Sequence, residues 1–274
     1  MVQLGSISLS GGDSPYGLLL LDDMNSVYVT CSGSNTGKAI DIYTQAVTTV
    51  SGSFGTSTGA NFMVRANNEV YVAFTGTSEY WRIDIPTFSV TGTVITGINN
   101  FPRMGIFIPA VNQIWFACDT ANVDVIDNST YAVTSITTGA QCFGIVQTQP
   151  DEVWVGGSGA LYAIQISTAT VTATISDGSR HLQMFVDGNG SVYSARPTAL
   201  RQFSISGQYL INSYPLGGSA GVFAIYIPQQ ALIVARATNT KSRYWRTNDC
   251  TQQLPPYSWV ARTINIKWQL EFNI

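Results

Sequence analysis

One phrase returns along this chain at a nearly fixed interval, and that interval limits the fold more than any other feature. Two apolar residues, an Asp, a Thr three positions on and a second alternating run make up "VIDNSTYAVTSI" at Val125 to Ile136. The phrase recurs as "AIDIYTQAVTTV" at Ala39 to Val50 and "RIDIPTFSVTGTV" at Arg82 to Val94, then more weakly from Ala163 and Gln202, with a decayed copy from Tyr244. Upstream of each copy lies a shorter apolar run, starting at Val27, Val70, Ile114, Val153, Val192 and Leu232, with spacings of 43, 44, 39, 39 and 40 residues. A period of about 40 residues holding several short strands points to an all-β chain of radially repeated blades.

Each unit reads as four strands. In the third they are expected at Met104 to Pro109, Gln113 to Cys118, Val123 to Asp127 and Ala132 to Thr137, separated by "PAVN", "DNST" and similar turns. Six such units make a β-propeller of six four-stranded blades over residues 1–250, with seven blades as the alternative. "VQLGSISL" at Val2 to Leu9 is placed to close the ring as a strand of the last blade, which would remove open edges.

The repeated residues have an architectural explanation. Asp41, Asp84 and Asp127 end strands, where a carboxylate accepts backbone N–H groups of the following turn, and Thr44, Thr87 and Thr130 close that turn. The aromatic column Tyr28, Tyr71, Trp115, Trp154 and Tyr193 is expected to fill the gap between blades.

"YVTC" at Tyr28 to Cys31, the "VID..T" phrase and the trailing "V..TI" pattern resemble the YVTN-type β-propeller repeat, with Cys31 where that signature has Asn. The resemblance covers about residues 15–250 and is strongest in the first four units. Proteins with such repeats include surface-layer and secreted binding proteins, lactonase-like enzymes and parts of phage particles, so the resemblance speaks to fold more than to function. Propeller hydrolases of that kind gather several His or carboxylate groups at the channel, often around a divalent cation. This chain has one histidine, His181, no D-x-D-x-D-G and no G-x-S-x-G. "VDGNG" at Val186 to Gly190 reads as a tight turn. The expectation is a non-catalytic protein without a metal or other cofactor, a lactonase-like hydrolase being the third reading.

Only 11% of residues are charged, against about 25% in average proteins. The surface is therefore covered by Ser, Thr, Asn, Gln and Gly, which suits a protein packed in an assembly or held outside the cell. No apolar run approaches the ~20 residues that span a bilayer. The opening residues lack a basic region followed by an apolar one, so no export signal is expected. The four cysteines stand singly, without CxxC spacing.

Charge is unevenly distributed. Residues 1–179 hold 4 basic and 13 acidic residues, and residues 180–274 hold 9 basic and 3 acidic. Since sequence order is angular order in a propeller, one sector is expected to be basic. Arg180, His181, Arg196, Arg201, Arg236, Lys241 and Arg243 make its candidate binding face, Arg being suited to bidentate contact with carboxylate or phosphate. Negative overall charge and the lack of a basic helix argue against nucleic acid.

Residues 251–274 form an expected C-terminal arm. Its strand alternates Ile264, Ile266, Trp268, Leu270, Phe272 and Ile274 with polar residues and spans about 36 Å. Such a strand suits pairing with a neighbour's sheet; a seventh blade or an edge of its own domain are the other placements. Together these features read as an interaction scaffold, assembled with protein partners or copies of itself as a structural component of a virus particle, such as a phage capsid decoration or tail protein. The alternative is a surface or secreted protein that recognises a glycan or other anionic ligand.

Overall fold

The computed structural model describes residues 7, 9, 15–31, 34, 36–51, 54, 60–74, 79–95, 101–196 and 198–215, and the backbone of strands at 222–227, 232–237 and 243–246. The expected arm therefore lies outside the described residues, as does Lys241. Among the described residues the chain is built of antiparallel sheets, each made from consecutive strands in sequence order.

The first sheet is β1 (Pro15–Leu21), β2 (Ser26–Cys31), β3 (Thr36–Asp41) and β4 (Val47–Thr49). The second is β5 (Ala60–Ala66), β6 (Glu69–Phe74), β7 (Glu79–Asp84) and β8 (Ser89–Ile95). The third is β9 (Pro102–Ile108), β10 (Gln113–Cys118), β11 (Asn122–Asp127) and β12 (Val133–Thr137), within two residues of the strands expected from the repeat. The fourth is β13 (Cys142–Gln149), β14 (Glu152–Gln165) and β15 (Thr170–Arg180). The fifth is β16 (Gln183–Val186), β17 (Ser191–Ala195), β18 (Ala199–Ser204) and β19 (Tyr209–Pro215), and the sixth is β20 (Val222–Ile227), β21 (Leu232–Ala237) and β22 (Arg243–Arg246).

The fourth sheet has three named strands because β14 doubles back on itself. Fully extended, its 14 residues would hold the ends about 43 Å apart. Instead the Ile166 N–H donates to the Asp151 carbonyl at 3.0 Å, and Gly159 takes φ +98° at the bend. The second and third strands of the repeat are thus present, joined by a very short turn.

Packing divides the chain into two compact units, one built mainly on Met1–Phe116 and Asp124–Ser135, the other on Ala117–Val123 and Ile136–Asn265. In the first, β1 packs against β5 and β5 against β9; in the second, β13 packs against β16 and β16 against β20. Within each unit, first strands of successive sheets therefore adjoin, and a core lies between sheets. One core joins Leu21, Tyr28 and Val50 to Val70, Val72, Phe74 and Ile83; another joins Trp154, Leu161 and Ala163 to Met184, Val192 and Phe203.

The aromatic column occupies these gaps, with Tyr28, Tyr71, Trp115, Trp154 and Tyr193 all fully buried. Their polar tips are mostly satisfied nearby. Trp115 Nε1 donates to Gln113 and Trp154 Nε1 to Glu152, at 3.1 and 2.9 Å, while the Tyr71 hydroxyl donates across to Asn128 Oδ1 at 2.6 Å. Gly37 makes room for the Tyr28 ring, since a Cβ there would overlap the Tyr28 hydroxyl.

The turn between the third and fourth strands carries the repeat's Asp and Thr. Asp127 Oδ1 accepts the N–H groups of Ser129 and Thr130, both at 2.8 Å, and the Thr130 hydroxyl accepts the Ala132 N–H at 3.3 Å. Asp41 makes the same contacts to Tyr43 and Thr44, and Asp84 to Thr87. These N–H groups hold the Asp127 and Asp41 carboxyls below the usual range. Each turn ends on a left-handed residue, Gln45, Phe88, Tyr131, Ala169 and Gln208, with φ between 47° and 60°. In the fourth unit Gln165 stands where the repeat has Asp, and Asp151 supplies the carboxylate instead, accepting the Ser167 N–H at 2.8 Å and its hydroxyl at 2.8 Å.

Two outcomes are expected. Asp127→Ala leaves the Ser129 and Thr130 N–H groups to water and lowers the melting temperature by about 2–4 °C, with the circular dichroism spectrum unchanged. Gly37→Ala forces a Cβ into the Tyr28 ring and costs on the order of 1–3 kcal/mol in chemical denaturation, more than the surface turn does.

Candidate functional site

The link between β15 and β16 carries His181 beside Arg180, next to the end of β17 that leads to Arg196 and the start of β18 that holds Arg201. Its backbone is pinned on both sides: His181 N–H donates to Gly157 O at 3.1 Å and Leu182 N–H to Ala195 O at 3.0 Å. Two glycines permit this approach. A Cβ at Gly156 would lie 2.7 Å from that of His181, and one at Gly144 would lie 2.8 Å from the Leu182 carbonyl.

His181 is fully buried, so it does not sit on the face with the arginines as the sequence suggested. Its Nε2 lies 2.9 Å from Asp177 Oδ1 and its Nδ1 2.8 Å from Ser194 Oγ, with the ring edge against Phe203. A carboxylate can only accept, so Nε2 carries a proton and donates to Asp177; in the neutral ring, Nδ1 then accepts from the Ser194 hydroxyl. Ser194 is itself fully buried. Serine, histidine and aspartate meet here as an internal clamp that ties β15, the link and β17 together.

Asp177 carries more than the clamp. The same carboxylate accepts the Ser179 N–H at 3.0 Å and forms an ion pair with Arg201 Nη1. Arg201 reaches it because Arg201 pairs across strands with Ser194, on the same face of the sheet. Burial raises the Asp177 pKa, but the His181 hydrogen bond, the Arg201 guanidinium and the Ser179 N–H outweigh it and hold the carboxyl below its usual range.

Arg196 follows β17 at the same end, its N–H bonded to Ala199 O at 2.9 Å. Its guanidinium is partly buried, and Nε is covered without a hydrogen-bond partner among the described residues. Burial and the charge of Arg201 pull its pKa down, with Asp177 acting in opposition. An arginine keeps its proton regardless. Two guanidiniums thus share the field of one carboxylate that Arg201 and His181 already occupy.

Arg180, exposed at the end of β15, lays its guanidinium 3.9 Å from the centre of the Phe143 ring. Arg236 and Arg243 are placed by backbone only, near the end of β21 and at the start of β22. Arg236 stands 40 residues after Arg196, at the same place in the repeat. Sequence reasoning missed Asp177 and Ser194. The signal available was an Asp four residues before the one histidine, in a stretch otherwise turning basic. "VDGNG" forms a turn in which Asp187 Oδ1 accepts the Asn189 and Ser191 N–H groups. Among the described residues, no group of three or more His, Cys, Asp or Glu gathers to hold a metal ion.

With this geometry in hand, likeness to known proteins lies in the fold. No family model matches the chain, and no curated protein matches it. A chain of the crystal structure of the mitotic checkpoint complex superposes with a TM-score of 0.76, covering 87% of this chain and 76% of that one at 12% identity. The chain has the β-propeller fold. At that identity the propeller carries architecture alone, and function has to be argued from its own residues.

Asp177→Asn is expected to lower stability by about 1–3 kcal/mol near neutral pH, because it removes the charge that Arg201 and His181 bond to. Since the carboxyl's folded pKa lies below the unfolded value of about 3.9, the wild-type advantage is present above about pH 4 and lost as pH falls through the lowered pKa. Melting curves of the two proteins should therefore converge in acid; a constant gap down to pH 2 would count against the ion pair.

Proposed function

We propose that this chain is a non-catalytic interaction scaffold, a six-bladed propeller that receives an acidic protein surface at the loop end of its fifth blade. The observation that carries the reading is Arg196, a partly buried guanidinium whose Nε has no partner among the described residues, beside an Arg201 whose one carboxylate is shared. A carboxylate from a partner would pair with the exposed part of the Arg196 guanidinium and offset the mutual repulsion of the two arginines. Arg180 adjoins the same link, and Arg236 belongs to the same repeat position on the next blade.

Ring closure by the N-terminal strand is supported by Ile7 and Leu9, which pack two residues apart against the cluster of Val27, Val29, Cys31 and Ile40 on the first sheet. That is where the outer strand of a preceding blade would lie. Within the scaffold class, the reading we favour is a structural component of a virus particle, such as a phage capsid decoration or tail protein, built on repeats of the YVTN type. Low surface charge, a pairing-competent arm and an arginine cluster all suit a protein that works inside an assembly.

The test is binding of the full chain to an immobilised oligo-glutamate peptide at low salt. Arg196→Ala leaves the Asp177 clamp intact, so its melting temperature should hold while affinity falls about tenfold or more, a loss of ~1.4 kcal/mol. The difference should shrink as salt screens exposed charge beyond about 8 Å. Equal binding by the two proteins at low salt would reject this face.

A further inference from the structure

The outer strand of each blade carries a second repeated residue. Thr48, Thr91, Thr134 and Thr172 occupy one position of the phrase, two residues before its closing half. In β15 the strand pairing skips Thr172, leaving it as a bulge, and its hydroxyl donates to Ala163 O at 3.2 Å. The Thr91 hydroxyl does the same to Arg82 O at 3.3 Å. In these two blades threonine therefore seals the rim with a polar group that the sheet itself satisfies.

The fifth blade breaks the rule. Ile211 stands at the threonine position and is skipped in the same way, since Phe203 pairs with Leu210 and Gln202 with Asn212. Two residues earlier, where the other units have Ala46, Ser89, Ala132 and Thr170, this unit has Tyr209. Tyr209, Leu210 and Ile211 are 59%, 39% and 48% exposed, a run matched on no other described outer strand. β19 carries no charged residue, and over Tyr209 to Ser213 its outer edge has no strand partner among the described residues. An uncharged, apolar sheet edge is the kind that natural proteins otherwise guard with Lys, Pro or a cover.

We infer that β19 is the docking edge for the C-terminal strand, Ile264 to Ile274, of a second copy of this chain. The sequence of that strand supplies what the edge lacks. It alternates six apolar residues with polar ones over eleven positions, so one face would cover Tyr209 and Ile211 while its backbone pairs with the open edge. At about 36 Å it outreaches the seven residues of β19, about 23 Å. Each copy offers one arm and one edge, which makes the contact head-to-tail and builds closed rings or filaments.

The inference rests on the scaffold reading above but not on the arginine cluster. Two full-length variants test it. The edge variant, Tyr209→Thr with Ile211→Thr, restores residue types that the repeat uses. The second of its new hydroxyls gains the Gln202 carbonyl as a hydrogen-bond acceptor, so its melting temperature should not fall. The arm variant is Trp268→Lys with Phe272→Lys. By light scattering after size exclusion, the wild type should assemble beyond a monomer and each variant alone should be monomeric. An equimolar mixture should form a 1:1 dimer, because one variant keeps the arm and the other the edge. A monomeric wild type, an edge variant that still assembles, or a mixture that stays monomeric would overturn the inference. Oligo-glutamate binding measured on the same variants should be unchanged, which separates failure of this contact from failure of the arginine face.

Discussion

Each sheet of this chain is too small to bury a core by itself, and that one constraint shapes the rest of the structure. A four-stranded sheet leaves both faces apolar unless another sheet covers them. Within each unit the cover is the next repeat, met through first strands that adjoin, and the second strand carries a buried aromatic ring at the same place in five repeats. Tyr71 shows how the device joins neighbours: its ring fills the gap and its hydroxyl bonds Asn128 of the following sheet, which is held in turn by Asn112. Such rings tolerate no freedom in what lies opposite, which is why Gly37 under Tyr28 has no side chain.

Because cores form between sheets, the turns at the sheet ends have to satisfy their own backbone. The Asp and Thr of the repeat do this locally, at the cost of one left-handed residue per turn. The fourth unit reveals that the requirement is for a carboxylate in space and not for an Asp at one position. Where the repeat gives Gln165, Asp151 reaches in from the preceding turn and makes equivalent bonds. Decay of the sequence repeat there is compensated by geometry.

The fifth blade departs from the pattern twice, and in both places the departure creates something the other described blades lack. At the loop end, a carboxylate is committed to a buried histidine and to Arg201, and Arg196 beside them has no ion pair among the described residues. At the rim, Ile211 and Tyr209 replace the small hydroxyl or methyl residues of the repeat. The two features answer to different chemistry, one to anions and the other to an apolar strand.

Period and alternation in the sequence are enough to determine the strands, their order and most of their bounds, because pairing of neighbouring strands is local and each turn is written by its own residues. The third sheet lies within two residues of the expected strands, and the turn roles of Asp127 and Thr130 follow from the phrase alone. Of the arginines that the sequence grouped, Arg196 and Arg201 lie close enough to act on each other. What the sequence could not decide is which of those residues face water. His181 reads as a surface group beside arginines, yet it is enclosed, since two glycines from the fourth sheet let its backbone close in and Asp177 and Ser194 arrive from different strands. Burial and charge pairing are sums over neighbours that only folding brings together, so the clamp, the arginine beside it and the exposed rim of β19 became visible with the tertiary structure.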